Sequence, residues 1–180
     1  MNRIKFVVST IFLLSFLLSA QQSNNKRGVN YGAFSFTMEV TLPGSPGVIF
    51  DAATGDISGW WDHSVSKNPV EFYIEPIPGG GFWEFFDDEG NGVLHATVIA
   101  ADRGKLLRFD GPLGLAGMAI HLVTTYTFEP AGSDSTLMKI SVHGAGEVED
   151  DTPAIVEEVW EHFIFERFQP YVESGGHLKN

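Results

Sequence analysis

The chain has no cysteine among its 180 residues, so a disulfide, a thiolate metal site and a cysteine nucleophile are all excluded. Positive charge is scarce: 11 Lys and Arg stand against 23 Asp and Glu, for a formal net charge of −12. Nucleic acid and anionic membrane surfaces select Lys and Arg patches, so this balance argues against both as partners. Also absent are a phosphate-binding Gly-Lys-Ser/Thr loop and a His-Glu-x-x-His zinc pair. Gly79-Gly80-Gly81 falls between two strand-like segments and not before a helix, and reads as a hairpin turn. The six histidines, at 63, 95, 121, 143, 162 and 177, form no i, i+4 pair. His121 and His143 share their alternation phase with polar neighbours and are expected on an outer face. No metal site and no cofactor follow from such a set, because a site needs three or four convergent ligands. Acidic residues gather at Glu147, Glu149, Asp150, Asp151, Glu157, Glu158 and Glu161, and they read as a solvated surface.

Long apolar runs are rare too, and the chief one is N-terminal. Phe6 to Leu18 is interrupted only by Ser9, Thr10 and Ser15, with Arg3 and Lys5 ahead of it and the small residue Ala20 behind. This is the pattern of a secretory signal over residues 1–20, with Leu18 larger than ideal before the cut. The run is at the short end for crossing a bilayer core of about 30 Å, and an uncleaved anchor is the alternative. Cleavage predicts a periplasmic or secreted protein with no stable membrane span. Without disulfides, that protein must be held together by its core.

After a polar lead-in over residues 21–32, expected to be disordered, the apolar residues fall into strand and helix periods. Phe34, Phe36, Met38, Val40 and Leu42 alternate as one face of a half-buried strand. Ser45 and Pro46 open a short helix carrying Val48, Ile49, Phe50 and Ala53, and Asp56 is placed to cap a second with Ile57, Trp60 and Trp61. Strands are predicted at Val70–Glu75, Phe82–Phe86, Val93–Ala101, Leu106–Phe109, Ala119–Phe128 and Thr136–Val142, each bounded by Gly, Pro, Asp or Asn turns. Short turns between successive strands imply an antiparallel meander. After Pro153 the period changes. Ile155, Val156, Val159, Trp160 and Phe163 share one helical face, whereas Glu157, Glu158 and Glu161 take the other. Phe165 and Phe168 fall on the charged side of that wheel, either under a loop or as an exposed patch, and Pro170 is expected to kink or end the helix. No linker divides residues 33–176, which read as a single domain.

Several motifs occur in order along this span. They are Trp60-Trp61, the Glu75-Pro-x-Pro-Gly-Gly80 hairpin, Phe82-Trp83, Gly92-Val-Leu-His-Ala96 and Gly111-Pro-Leu-Gly114. Together they resemble the START-like, or SRPBCC, superfamily and its branch related to the activator of the heat-shock-protein-90 ATPase. The resemblance implies an α+β helix-grip fold: a curved antiparallel sheet wrapped around a long C-terminal helix, with two short helices after the first strand. It also implies a cavity between sheet and helix. It does not fix an activity, because the superfamily includes lipid carriers, polyketide cyclases and chaperone activators. A signal segment would separate the chain from a cytosolic chaperone.

On phase, the residues expected to face inward include Phe72 or Tyr73, Trp83, Phe85, His95, Leu122, Tyr126, Met138, Trp160 and Phe163, with Trp60 and Trp61 at the mouth. Large aromatics at these periods also describe a plain core; the resemblance is what implies an open pocket. Of the tryptophan pair, Trp60 is expected buried and Trp61 partly exposed, since Asp62 and His63 follow directly. The leading expectation is a binder of a hydrophobic or aromatic small molecule, oriented by His95 and Tyr126. A cyclase- or aromatase-like enzyme is the alternative, with His95 as acid–base, Tyr126 beside it and Arg167 as an anion clamp. A third reading is a protein-interaction module using the acidic helix face with Phe165 and Phe168. No particular protein partner is indicated.

Overall fold

The computed structural model describes residues 28–179. The predicted signal segment, residues 1–20, lies outside them, as does most of the polar lead-in. The first strand, β1 (Tyr31–Pro43), starts inside the segment expected to be disordered, because Tyr31 and Gly32 already pair with Glu147 and Gly146. Its alternation buries Met38, Val40 and Leu42 and leaves Glu39 and Thr41 in solvent. A short helix, α1 (Pro46–Ala52), follows with Pro in its first turn and buries Ile49 and Phe50.

The second short helix does not form. Gly55–Asp56 instead makes a brief strand, β2, and the chain then takes one hydrogen-bonded turn in which Trp60 N and Trp61 N both donate to Ile57 O. Asp56 Oδ1 accepts from Ser58 N at 2.9 Å. This side chain satisfies a local turn instead of capping a helix, and Gly55 and Gly59 on either side do not favour helix nucleation.

The remaining strands lie where the alternation placed them, with small shifts at their ends, except that the last runs on past Val142 to Glu147. They are β3 (Glu71–Ile74), β4 (Gly81–Phe85), β5 (Gly92–Asp102), β6 (Leu106–Gly111), β7 (Ile120–Pro130) and β8 (Ser135–Glu147). The eight strands form one open antiparallel sheet in the order β1-β8-β7-β6-β5-β4-β3-β2, so β1 and β2 are its edges. β1 pairs with β8 along its whole length, from Tyr31 opposite Glu147 to Pro43 opposite Ser135. Two irregularities bend β5. At the first, Phe82 pairs with Ala96 and Trp83 with Leu94, which leaves His95 as the extra residue of a β-bulge.

The C-terminal helix, α2, runs for 22 residues in three segments: Thr152–Glu161, a π-helical stretch His162–Phe168, and Gln169–Glu173. Pro170 does not end it. In a continuous α-helix the proline ring would meet the Glu166 carbonyl, and the wider π turn lies just before that point. Because π turns advance by a smaller angle per residue, Phe168 swings off the charged side expected from an α-helical wheel. It is fully buried against Trp60, with ring centroids 4.8 Å apart. Only Phe165 stays exposed, so the aromatic patch proposed for a protein partner loses half its content. The sheet wraps one face of α2, and Trp60, Trp160, Tyr126, Phe82 and Phe109 fill the space between.

Candidate functional site

Toward one end of this interface the packing opens. A cavity of about 300 Å³ lies between α2, β5, β7 and two loops. Its helix wall is Ile155, Val156, Val159, Trp160 and Phe163, and its sheet wall is His95 and Leu122. Leu113, Gly114 and Leu115 close one side, and Trp61, His63, Ser64 and Val65 form the other. Leu113 has φ 51°, the left-handed region that bulky residues avoid, and is the only described non-glycine residue with positive φ. The volume equals that of roughly ten waters at about 30 Å³ each. It is at the low end of small-molecule sites, about 300–1,000 Å³.

The polar centre of the wall is a buried pair. Glu84 on β4 is 0% exposed and His95 is 4% exposed. The Glu84 carboxylate has no freedom left: Oε1 accepts from Ser66 N at 2.8 Å, and Oε2 accepts from Val65 N at 3.0 Å. His95 Nε2 lies 2.9 Å from Oε2 and is read as donating its proton there. The same carboxylate therefore fixes both the His95 ring and the loop that rims the cavity. His95 Nδ1 is buried and finds no partner. The bulge contributes to this arrangement, because it turns the successive residues His95 and Ala96 both inward.

At the mouth, Asp62 gathers three cations or potential cations. His63 Nδ1 is 3.0 Å from its Oδ1, His162 Nε2 is 3.0 Å from the same oxygen, and Arg167 Nε is 3.1 Å from Oδ2. His162 Nδ1 also meets Glu166 Oε2 at 2.9 Å. Histidines that are scattered in sequence thus converge in space, and the ligand-type atoms of Asp62, His63 and His162 lie within 4.8 Å of one another. With Arg167 on the carboxylate, the cluster is an ion-pair latch joining the loop after Trp61 to α2.

The latch is sensitive to pH. The Glu166 hydrogen bond raises the His162 pKa, burial opposes the rise, and Asp62 adds to it, so His162 titrates above the ordinary histidine value. Burial pushes the Asp62 carboxyl up, but hydrogen bonds from His63 and His162 and the charges of His162 and Arg167 outweigh it and hold the group low. The His162 contribution is fully present below the ordinary histidine pKa and is lost as pH rises through the raised one. The Asp62 contribution is present above the ordinary aspartate pKa and is lost as pH falls through the lowered one. The latch is therefore strongest between about pH 4 and 6.5. NMR titration should give His162 a midpoint above about 6.5, lowered by Asp62→Asn. A midpoint at or below that value, unmoved by the substitution, would contradict the ion pairing.

Of the residues expected to form the site, Trp61, His95, Leu122, Trp160 and Phe163 line the cavity. Trp60, Phe72, Tyr126 and Met138 are buried in the core and do not reach it. Burial pushes the Tyr126 phenol up, and its hydroxyl has no partner. Trp83 and Phe85 are corrections. They point to the outer face, where their rings stack 5.9 Å apart, and Phe82 and Glu84 take the inward phase. Trp83 lies back over Gly81, where a Cβ would stand 2.0 Å from the indole nitrogen. Trp61 is corrected as well. It is only 7% exposed, covered by Phe163, whose ring stacks on it at 3.7 Å and 13°. Both indoles are thus buried, and the pair differs only in that Trp61 faces the cavity and Trp60 does not. Sequence reasoning missed Glu84 altogether. The available signal was its phase with Phe82, which the size of Trp83 and Phe85 outweighed.

No protein-family profile matches the chain, and no curated protein is significantly similar to it. Solved structures do match. A protein of unknown function, SA2116 from Staphylococcus aureus, superposes with a TM-score of 0.63 at 12% identity, over 82% of this chain and 98% of that one. The Mll3558 protein from Rhizobium loti matches with a TM-score of 0.57 at 23% identity, over 76% and 95%. Ara h 8.0201, a Bet v 1-like protein, matches with a TM-score of 0.55 at 20% identity, over 79% and 99%. With the open sheet and the 22-residue helix, these likenesses give the chain an α+β helix-grip fold.

Proposed function

We propose that this protein binds a hydrophobic or aromatic small molecule in the cavity between the sheet and α2. The observation that carries the reading is a wall of Trp61, Trp160, Phe163, Leu122 and Val159 around about 300 Å³ with few polar groups. Such a wall gains about 25 cal/mol for each Å² of apolar surface that a ligand removes from water. The Trp60-Trp61 pair, the Glu75–Gly80 hairpin and the Gly111–Gly114 turn extend the proposal to the SRPBCC branch named above. Residues 1–20 extend it to export, with a periplasmic or secreted location. Acid–base catalysis of a cyclase-like reaction is the second reading, favoured by the Glu84–His95 pair, because an imidazole backed by a carboxylate is a competent general base.

The test is direct. Native mass spectrometry of protein purified from its own host should find a retained small molecule, and titration with aromatic ligands should quench tryptophan fluorescence through Trp61 and Trp160. Val159→Phe, which grows a ring into the cavity from the helix side, should lower affinity at least tenfold while leaving the thermal melt nearly unchanged. An empty protein with no fluorescence response to any hydrophobic ligand would sink the reading. Turnover of a bound ligand would favour the enzyme.

A further inference from the structure

At the cavity mouth, three side chains bring metal-type ligand atoms together. Two imidazole nitrogens, His63 Nδ1 and His162 Nε2, each stand 3.0 Å from the same oxygen, Asp62 Oδ1. All three atoms lie within 4.8 Å of one another. Zinc bonds of about 2.0–2.2 Å set neighbouring tetrahedral ligand atoms roughly 3.3 Å apart, so small side-chain rotations bring the three around one ion. They are also within reach of solvent: the side chains of His63, Asp62 and His162 are 53%, 34% and 29% exposed.

The groups behind these atoms are those a bound ion calls for. A ligating imidazole usually gives its other N–H to a carboxylate, and a ligating carboxylate is itself hydrogen-bonded. His162 Nδ1 lies 2.9 Å from Glu166 Oε2. In the neutral ring that bond places the proton on Nδ1 and leaves the Nε2 lone pair toward Asp62. Arg167 Nε holds Asp62 Oδ2 at 3.1 Å, which leaves Oδ1 to the two imidazoles. The His63 ring packs edge-on against Phe163 with centroids 4.8 Å apart, a contact that restrains its rotation. With neutral imidazoles, Asp62 and Glu166 set two negative charges against the single positive charge of Arg167, so the cluster favours a cation.

The donor set selects the ion. Ca²⁺ and Mg²⁺ take oxygen ligands, whereas two imidazoles and one carboxylate suit Zn²⁺. Three protein ligands leave a fourth tetrahedral position for water or another donor. We propose that Asp62 Oδ1, His63 Nδ1 and His162 Nε2 bind a Zn²⁺ ion at the rim of the cavity, with Glu166 and Arg167 positioning His162 and Asp62. Without metal the same atoms share protons as the latch described above. The site does not depend on what fills the cavity.

Titration of the metal-free full chain with Zn²⁺ by calorimetry tests it. One ion should bind per chain, with no comparable heat from Mg²⁺ or Ca²⁺. Glu166→Gln should weaken Zn²⁺ by about 10–100-fold, and His63→Ala or His162→Phe by more than that. His121→Ala removes a ring that pairs with Asp110 at 3.3 Å, away from the cluster, and should leave the affinity within a few-fold. If a variant fails to fold, Co²⁺ added to the unsubstituted protein replaces it and should give the intense visible absorption of a four-coordinate ion. Absence of Zn²⁺ binding would overturn the site and leave the latch standing. Zn²⁺ affinity unmoved by the His63 and His162 substitutions would overturn it as well, as would equal affinity for Ca²⁺ or only the faint spectrum of six-coordinate Co²⁺.

Discussion

Trp60→Ala is expected to lower the melting temperature by roughly 6–20 °C. The indole is 1% exposed, packs edge-on to Trp61 at 5.6 Å and meets Phe168 at 4.8 Å. Removing a buried tryptophan side chain typically costs about 3–5 kcal/mol, and each kcal/mol moves the melt of a domain this size by about 2–4 °C. The loss should be near the upper end here, because the neighbours are themselves large rings that cannot shift to fill the space. Trp60 also anchors the turn that leads to Trp61 and Asp62, so the same substitution should loosen the latch at the mouth. Differential scanning calorimetry decides the point. A shift under about 3 °C would mean that the core collapses around the deletion and that Trp60 does not anchor the turn before Trp61.

Glu84→Leu should be comparably damaging for a different reason. The carboxylate satisfies Val65 N, Ser66 N and His95 Nε2, and an apolar chain in its place leaves the buried His95 donor and the two half-buried loop amides without their acceptor. Breaking a buried ion-type pair by removing one partner commonly costs about 3–5 kcal/mol. The damage should also be local enough to see directly. In the unsubstituted protein the Val65 and Ser66 amides should exchange slowly with solvent, and in Glu84→Leu they should exchange near the rate of an open loop. Unchanged protection at both amides would show that the loop is held by something other than Glu84. Glu84→Gln is the milder case, since one of its two positions becomes a donor facing another donor.

Most of the sheet was legible in the sequence because its alternation is clean: Met38, Val40 and Leu42 in β1, and Ile120, Leu122, Tyr126 and Phe128 in β7, could face only one way. The helical stripe of Val156, Trp160 and Phe163 was equally plain. Legibility failed where local geometry departs from a regular period. The π segment turned Phe168 inward, against an α-helical wheel. The bulge at His95 gave two neighbouring residues the same face. On β4, hydrophobicity and burial parted company: Trp83 and Phe85 stack outside while a carboxylate goes in. Glu84 is inside because a buried histidine and two backbone amides need its oxygens, and such a demand is visible only once the strands are paired. Asp62 and His162 meet across the fold, and nothing in their local sequence joins them.

The pairing of β1 with β8 alone sets an order of events for the chain as it folds. Among the described residues the first strand has its partner in the last, with Tyr31 opposite Glu147. Contacts of such long range make loop closure slow relative to local hairpins, so β3 through β8 can form their meander before β1 docks. Until then the inner edge of β8 is bare, with alternating apolar residues and unpaired amides, a template for strands from other molecules. Aggregation of this protein should therefore follow the lifetime of that half-finished edge more closely than the stability of the finished fold.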